Sequence, residues 1–546
     1  MKRFKLIPLL LSISLFLTSC SNVNTAFTNF THALYCQEIS SSTINLHYSL
    51  AHPETFGITD APITFGSFET DTLASNASLE NLTASLELFP YNSLTEENKR
   101  TYDVLSYYLD VSKEGLNYTF YNEPLSPVTG IHTQLPVLLA EYQFYSETDI
   151  QEYLTLLSTL PDYYASLAAF EKEKAAQGLF MSDAVLEQVL SQCGSFSYLL
   201  TTFEERVAEC SFLDDTKREN YIAQNEEVYT TAVEPAYEQL RKSLTALKGS
   251  GTNTQGLSYF PEGKQYYLYL IQSEVGTKRS ISDIKTLIQN QMMQDLLDSQ
   301  KILSEYPSLL TDVSMIAEAP ETILQSLEEK IATAFPEPAD VSVQVKYVPK
   351  SLEAQLSPAF YLIPSIDNYT ENTIYINRAN SMTDIHLFTT LAHEGYPGHL
   401  YQTTYYDSLN PDPIRTLLSF NGYVEGWATY AEMCSYYISP LQKELATLLQ
   451  KNNSLILGLY ALADIGIHYE GWSLEDTIAH FSAYGIDDAE TITSIYEFIL
   501  GDPANYLSYH LGYLEILELK KAWSGTQMDF HKWLLEAGPA PFAILK

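Results

Sequence analysis

The sequence predicts a mainly α-helical fold, on three observations. Apolar residues recur at helical spacing from about residue 29 to the C-terminus, only two short stretches alternate with period two, and no fixed repeat or long low-complexity tract interrupts them. Ser282 to Leu303 shows the pattern well. Ser282 is placed to cap, and Ile284, Leu287, Ile288, Met292 and Leu296 form one stripe. Tyr237, Leu240, Leu244 and Leu247 mark a second helix, expected to stop at Lys248 and Gly249 before the loop-like run KGSGTNTQG.

After Phe335-Pro336-Glu337-Pro338 the pattern changes. Val341, Val343, Val345 and Tyr347 alternate with Ser342, Gln344 and Lys346, which reads as a half-buried strand, and Thr373 to Asn377 reads as another. The turn-prone SIDNYTEN between them suggests a small antiparallel β ribbon. Helix then resumes. This change divides the helical part into an N-terminal lobe, about 29–335, and a C-terminal lobe, about 336–546.

The N-terminus carries a different message. Lys2, Arg3 and Lys5 precede an apolar run from Leu6 to Leu17 that is short for a spanning helix, so residues 1–19 read as a signal peptide. Leu17-Thr18-Ser19-Cys20 matches a bacterial lipobox. Cys20 is thus expected to be lipidated and to anchor the chain to a membrane outside the cytoplasm, with 20–28 as a polar tether. Loss of three cations with the signal takes the net charge from −38 to −41, which repels nucleic acid and anionic headgroups. Cys36, Cys193, Cys210 and Cys434 are widely spaced without a CxxC pattern, so they read as small apolar side chains rather than a disulfide or zinc-finger framework.

The segment Thr389 to His399, TTLAHEGYPGH, carries the chemistry. His393-Glu394 resembles the start of a zincin helix, in which two histidines four apart face one metal ion and the adjacent glutamate reaches water. Here His393 and His399 stand six apart, and an unbroken helix would set them about 120° from each other. Pro397 and Gly398 supply the break that could return His399 to the same side. A third ligand is expected from Glu425 in YVEGWATYAE, with Glu432 seven residues on and on the same face, suited to orienting a histidine from behind. Two imidazoles and a carboxylate favour one zinc ion, with manganese or cobalt as substitutes.

HEGYPGH and EGWATYAE together resemble the bacterial family catalogued as domain of unknown function 885. The likeness extends to Leu125-Ser126-Pro127 with Leu135-Pro136, to PEGKQYYLYL at 261–270, to Asp464 through His468 before Gly471-Trp472, and to Ser508-Tyr509 with Gly512. It implies a large helical zincin-like fold akin to thimet oligopeptidase and carboxypeptidase Taq, with a deep cleft. It does not fix the substrate; the His-Glu motif points to peptide hydrolysis with Glu394 as general base, and the likeness to helical zincins implies Tyr509 as a donor to the developing oxyanion, with Tyr506 and Tyr513 as nearby alternatives. Asp464 and His468, four apart, share a face and are read as substrate-binding or supporting residues, with a structural hydrogen bond equally open for His468. His510 and Leu400 depart from residues frequent in the family, lysine and histidine respectively. The competing functions are a zinc amidase acting on another amide and a lipoprotein that binds peptides without cleaving them.

Overall fold

The computed structural model describes residues 22–194, 196–311, 318–348, 350, 353, 356–379 and 382–545. Cys20 and the signal segment lie outside them. Within the described residues the protein is mainly helical, with one three-stranded sheet.

The chain divides into two compact units. The first runs to Pro90 and adds Ser112–Thr254 and Ser365–Asp367; the second takes Tyr91–Val111, Gln255–Pro364 and Asn368–Lys546. The expected boundary near residue 335 is therefore displaced. The physical reason lies in the helix Ile281–Glu305, which packs against Lys443–Ile465 in the second unit.

In the first unit a helix already begins at Val23 and runs to Ile39, so most of the expected tether is helical. Phe27, Phe30 and Leu34 are buried along one side of it, which outweighs the polar composition of the segment. The core of this unit is aromatic, as where Tyr237 meets Tyr164 and Phe196 with ring centroids 4.9 and 4.4 Å apart. Tyr237, Leu240 and Leu244 are buried as their spacing predicts, but the helix ends at Thr245 rather than Lys248. Tighter turns, with Leu247 N donating to Leu244 O and Lys248 N to Thr245 O, carry the chain to Gly249 at φ +82°.

The second unit contains the helices that matter to the chemistry: α1 (Ile281–Glu305), α2 (Asp384–Glu394), α3 (His399–Ser408), α4 (Asn421–Ser435), α5 (Lys443–Ile465) and α6 (Asn505–Ala522). Helix α1 starts one residue before Ser282, and its cap is Ser280, in extended conformation, whose hydroxyl accepts from Asp283 N at 3.2 Å. Ile284, Ile288 and Met292 are buried as expected, while Leu287 and Leu296 are half-buried.

The sheet corrects the expected ribbon. β1 (Ser342–Tyr347) and β3 (Glu371–Ile376) are neighbours but run parallel, and β2 (Ala359–Leu362) pairs antiparallel with β3 on its other side. The sheet is thus mixed, in the order β1-β3-β2. Alternation along β1 and β3 reveals strands but not their relative direction. The connection between them is long enough to return to the starting end, and β2 is formed within it.

Cys36, Cys193, Cys210 and Cys434 are free thiols, the middle two buried. No helix among the described residues is long and apolar enough to cross a membrane.

Candidate metal centre

The six-residue spacing of the histidines is resolved by a break between two helices. α2 ends at Glu394, Gly395 leaves helical angles at φ −109° and ψ −105°, the Tyr396–Pro397 peptide is cis, and α3 begins at His399. Gly398 is required here, because a Cβ at this position would lie 1.7 Å from His393 O. The result brings the two imidazoles to 4.9 Å between centroids at 84°, as the Pro397-Gly398 break leads one to expect.

Glu425 arrives from α4. Its Oε2 lies 3.6 Å from His393 Nε2 and 3.4 Å from His399 Nε2, and the three prospective ligand atoms all fall within 4.8 Å of one another. The rest of the EGW motif explains how this helix is placed. Gly426 packs backbone to backbone on α6, where a Cβ would stand 2.5 Å from Gly512 C, and the buried Trp427 donates from Nε1 to Pro397 O at 2.8 Å. Glu425 presents the carboxylate, Gly426 admits a neighbouring helix by lacking a side chain, and Trp427 ties down the turn that carries His399.

The donor set suits a divalent cation. Glu425 Oε2 is buried without a hydrogen-bond partner, facing both Nε2 atoms. His393 Nδ1 donates to Glu432 Oε2 at 3.2 Å, leaving Nε2 as the nitrogen available to a metal. Burial discourages charge on His393, yet the Glu425 and Glu432 carboxylates beside it and the nearby Glu394 raise it well above the ordinary histidine value. Burial likewise opposes the Glu425 anion, but His399 and His393 outweigh it and hold this carboxyl far below the usual carboxylate range.

Glu432 is itself held by Asn453 of α5, whose Nδ2 donates to Oε1 at 2.8 Å. Sequence reasoning missed Asn453. Its only signal is polarity, with Ser454, in a helix otherwise apolar from Leu455 to Leu462. If the cluster holds a metal ion, Asn453→Ala is expected to weaken its binding about 10- to 100-fold by freeing Glu432, with folding intact. Competition against a chromophoric chelator checks this, and unchanged affinity would show that Glu432 is held by other means.

Glu394, the last residue of α2, accepts at Oε2 from Tyr361 N of β2 at 2.9 Å, so the unexpected strand is what fixes this carboxylate. Tyr509 of α6 stacks near His393, with centroids 6.1 Å apart and planes at 15°. The charge of Glu425, followed by burial and the Glu394 charge, pushes the Tyr509 phenol well above the ordinary tyrosine value. Of the alternatives, Tyr506 packs against Tyr460 and Phe498, and Tyr513 is buried with its ring 6.3 Å from that of His510.

Asp464 and His468 come together around Tyr267 instead of joining the histidines. The Tyr267 hydroxyl donates to Asp464 Oδ1 at 2.7 Å, and its ring stacks on His468 at 5.7 Å. His468 Nδ1 accepts from Leu257 N and Nε2 donates to Ile499 O, which commits both nitrogens to backbone; burial lowers its pKa to about 4. His510 is fully buried against Gly458. Arg415 donates to Ala537 O and Pro539 O, and Arg378 stacks on Tyr347, so both arginines have structural partners.

The fold and the cluster define a mainly helical protein with a His-His-Glu arrangement able to hold a metal ion. The chain belongs to the family described as bacterial protein of unknown function, DUF885, whose model matches residues 68–546. Two solved structures share the fold. One is a candidate lipoprotein from Colwellia psychrerythraea, 18% identical with TM-score 0.82, the alignment covering 96% of this chain and 97% of that one. The other is a candidate lipoprotein of unknown function from Shewanella oneidensis, 15% identical with TM-score 0.63, covering 96% and 100%. No curated protein matches the chain.

Proposed function

We propose that this protein is a zincin-like zinc metallopeptidase, exported and anchored outside the cytoplasm through a lipid on Cys20. The observation that carries the reading is the unpartnered Glu425 oxygen facing two imidazole nitrogens, with the Glu394 carboxylate on the residue next to one of them. His393, His399 and Glu425 would hold the ion. Bound there, zinc supplies Lewis acidity that polarises a peptide carbonyl and makes water easier to deprotonate.

Glu394 takes the proton from the attacking water as its oxygen bonds to the carbonyl carbon. It then delivers that proton to the amide nitrogen as the C–N bond breaks. Tyr509 donates its hydroxyl hydrogen to the carbonyl oxygen as negative charge gathers there, a contribution of a few kcal/mol for such donors, about 3. A phenol held well above its ordinary pKa keeps that proton available. Glu432 and Asn453 keep the His393 ring in one orientation throughout.

The test is elemental analysis of the purified protein together with digestion of a mixed peptide library read by mass spectrometry. About one zinc per chain and cleavage abolished by a chelator are expected. A zinc-loaded protein that retains peptides without cutting them would instead make it a binding lipoprotein, and cleavage confined to non-peptide amides would make it an amidase. A chain that takes up no metal would overturn the reading.

A further inference from the structure

Tyr509 sits in the second turn of α6, between two anchors. On its C-terminal side Gly512 packs closely on Gly422 and Gly426 of α4, the helix that carries Glu425. On its N-terminal side the anchor is a single buried carboxylate from α5. Asp464 Oδ1 accepts from Ala504 N at 3.1 Å and from the Tyr267 hydroxyl at 2.7 Å. Ala504, the cap of α6, has φ +66° and ψ 5°, a left-handed conformation that a residue with a Cβ holds only when its surroundings impose it.

We propose that Asp464 is a positioning residue that fixes the start of α6, and thereby aims the Tyr509 phenol at Glu425 and the His393 ring. This rests on the reading of Tyr509 as the oxyanion donor. A helix gripped only at Gly512 could still rotate or fray at its N-terminal turns, because orphan amides there have no intrahelical partner. Asp464 supplies the partner for the amide of Ala504, the cap residue whose left-handed turn starts the helix. The hydroxyl of Tyr267 donates to that same oxygen and helps hold it in place.

Charge is not what the latch needs. Burial pushes the Asp464 carboxyl up to about 7, and its Oδ2 has no hydrogen-bond partner, so the working atom is a single acceptor. Asparagine offers the same Oδ1. Asp464→Asn is therefore expected to preserve the arrangement and Asp464→Ala to release it.

The experiment places 3-fluorotyrosine at position 509 and records its ¹⁹F spectrum in the full-length protein. One sharp line is expected in the parent and in Asp464→Asn, and a broadened or multiple signal in Asp464→Ala. In parallel, kcat is measured for Asp464→Ala, Tyr509→Phe and the double variant. Asp464→Ala should lose about 10- to 100-fold in kcat with KM little changed. It should cost almost nothing further once Tyr509 is already phenylalanine, since both changes remove one contribution. A merely structural cap would give additive losses and leave the fluorine line alone, and either result overturns the proposal. Where Asp464→Ala does not fold, Tyr267→Phe removes one bond to the same oxygen and must broaden the line for the proposal to stand. Absence of turnover in the parent would defeat the peptidase reading only, because the fluorine spectrum decides the latch without activity.

Discussion

Glu394→Gln is expected to retain zinc at the parent stoichiometry while losing about 10²- to 10⁴-fold in kcat. Glutamine has nearly the same shape, and its side-chain oxygen still accepts from Tyr361 N, the bond that seats Glu394 at 2.9 Å. It cannot accept a proton from water. The three prospective ligands are untouched, so metal content separates a lost base from a damaged site. Measured on a peptide identified by library digestion, activity within a few-fold of the parent would remove Glu394 from its role. A peptide-binding lipoprotein would show equal peptide affinity in parent and variant and no turnover in either.

Much of this centre is legible before folding because its geometry is local. Pro397 and Gly398 between two histidines announce a broken helix, and the structure breaks it between Glu394 and His399. Glu425 and Glu432, seven apart on one helix, both face His393, one at Nε2 and the other at Nδ1. What escapes is whatever depends on distant chain. β2 is only four residues, Ala359–Leu362, between Pro358 and Pro364, too short to show a period, yet its backbone holds the catalytic candidate Glu394. The parallel pairing of β1 with β3 is decided by the course of the connection, about which alternation is silent. Helical spacing correctly put Asp464 and His468 on one face, but spacing cannot say what that face meets. It meets Tyr267 and the start of α6. The helix from Val23 shows the opposite error, where polar composition concealed the buried stripe of Phe27, Phe30 and Leu34.

Glu425→Ala should bind zinc more weakly than any outer-partner variant, beyond the roughly 10- to 100-fold expected for those. Two imidazoles alone leave a tetrahedral ion without its anionic ligand, and the nearest other carboxylate on α4, Glu432, is already engaged by His393 and Asn453. The helix itself should survive. Gly426 keeps its contact with Gly512 and Trp427 its bond to Pro397 O, so the turn carrying His399 stays tied to α4. Deleting the side chain also removes a buried oxygen that has no hydrogen-bond partner, which costs the metal-free fold little. Zinc affinity by chelator competition, with circular dichroism as the check on folding, separates these effects. Parent-like affinity in a folded Glu425→Ala protein would mean that the ion, if bound, is held elsewhere, and the convergence of α2, α3 and α4 would then need another explanation.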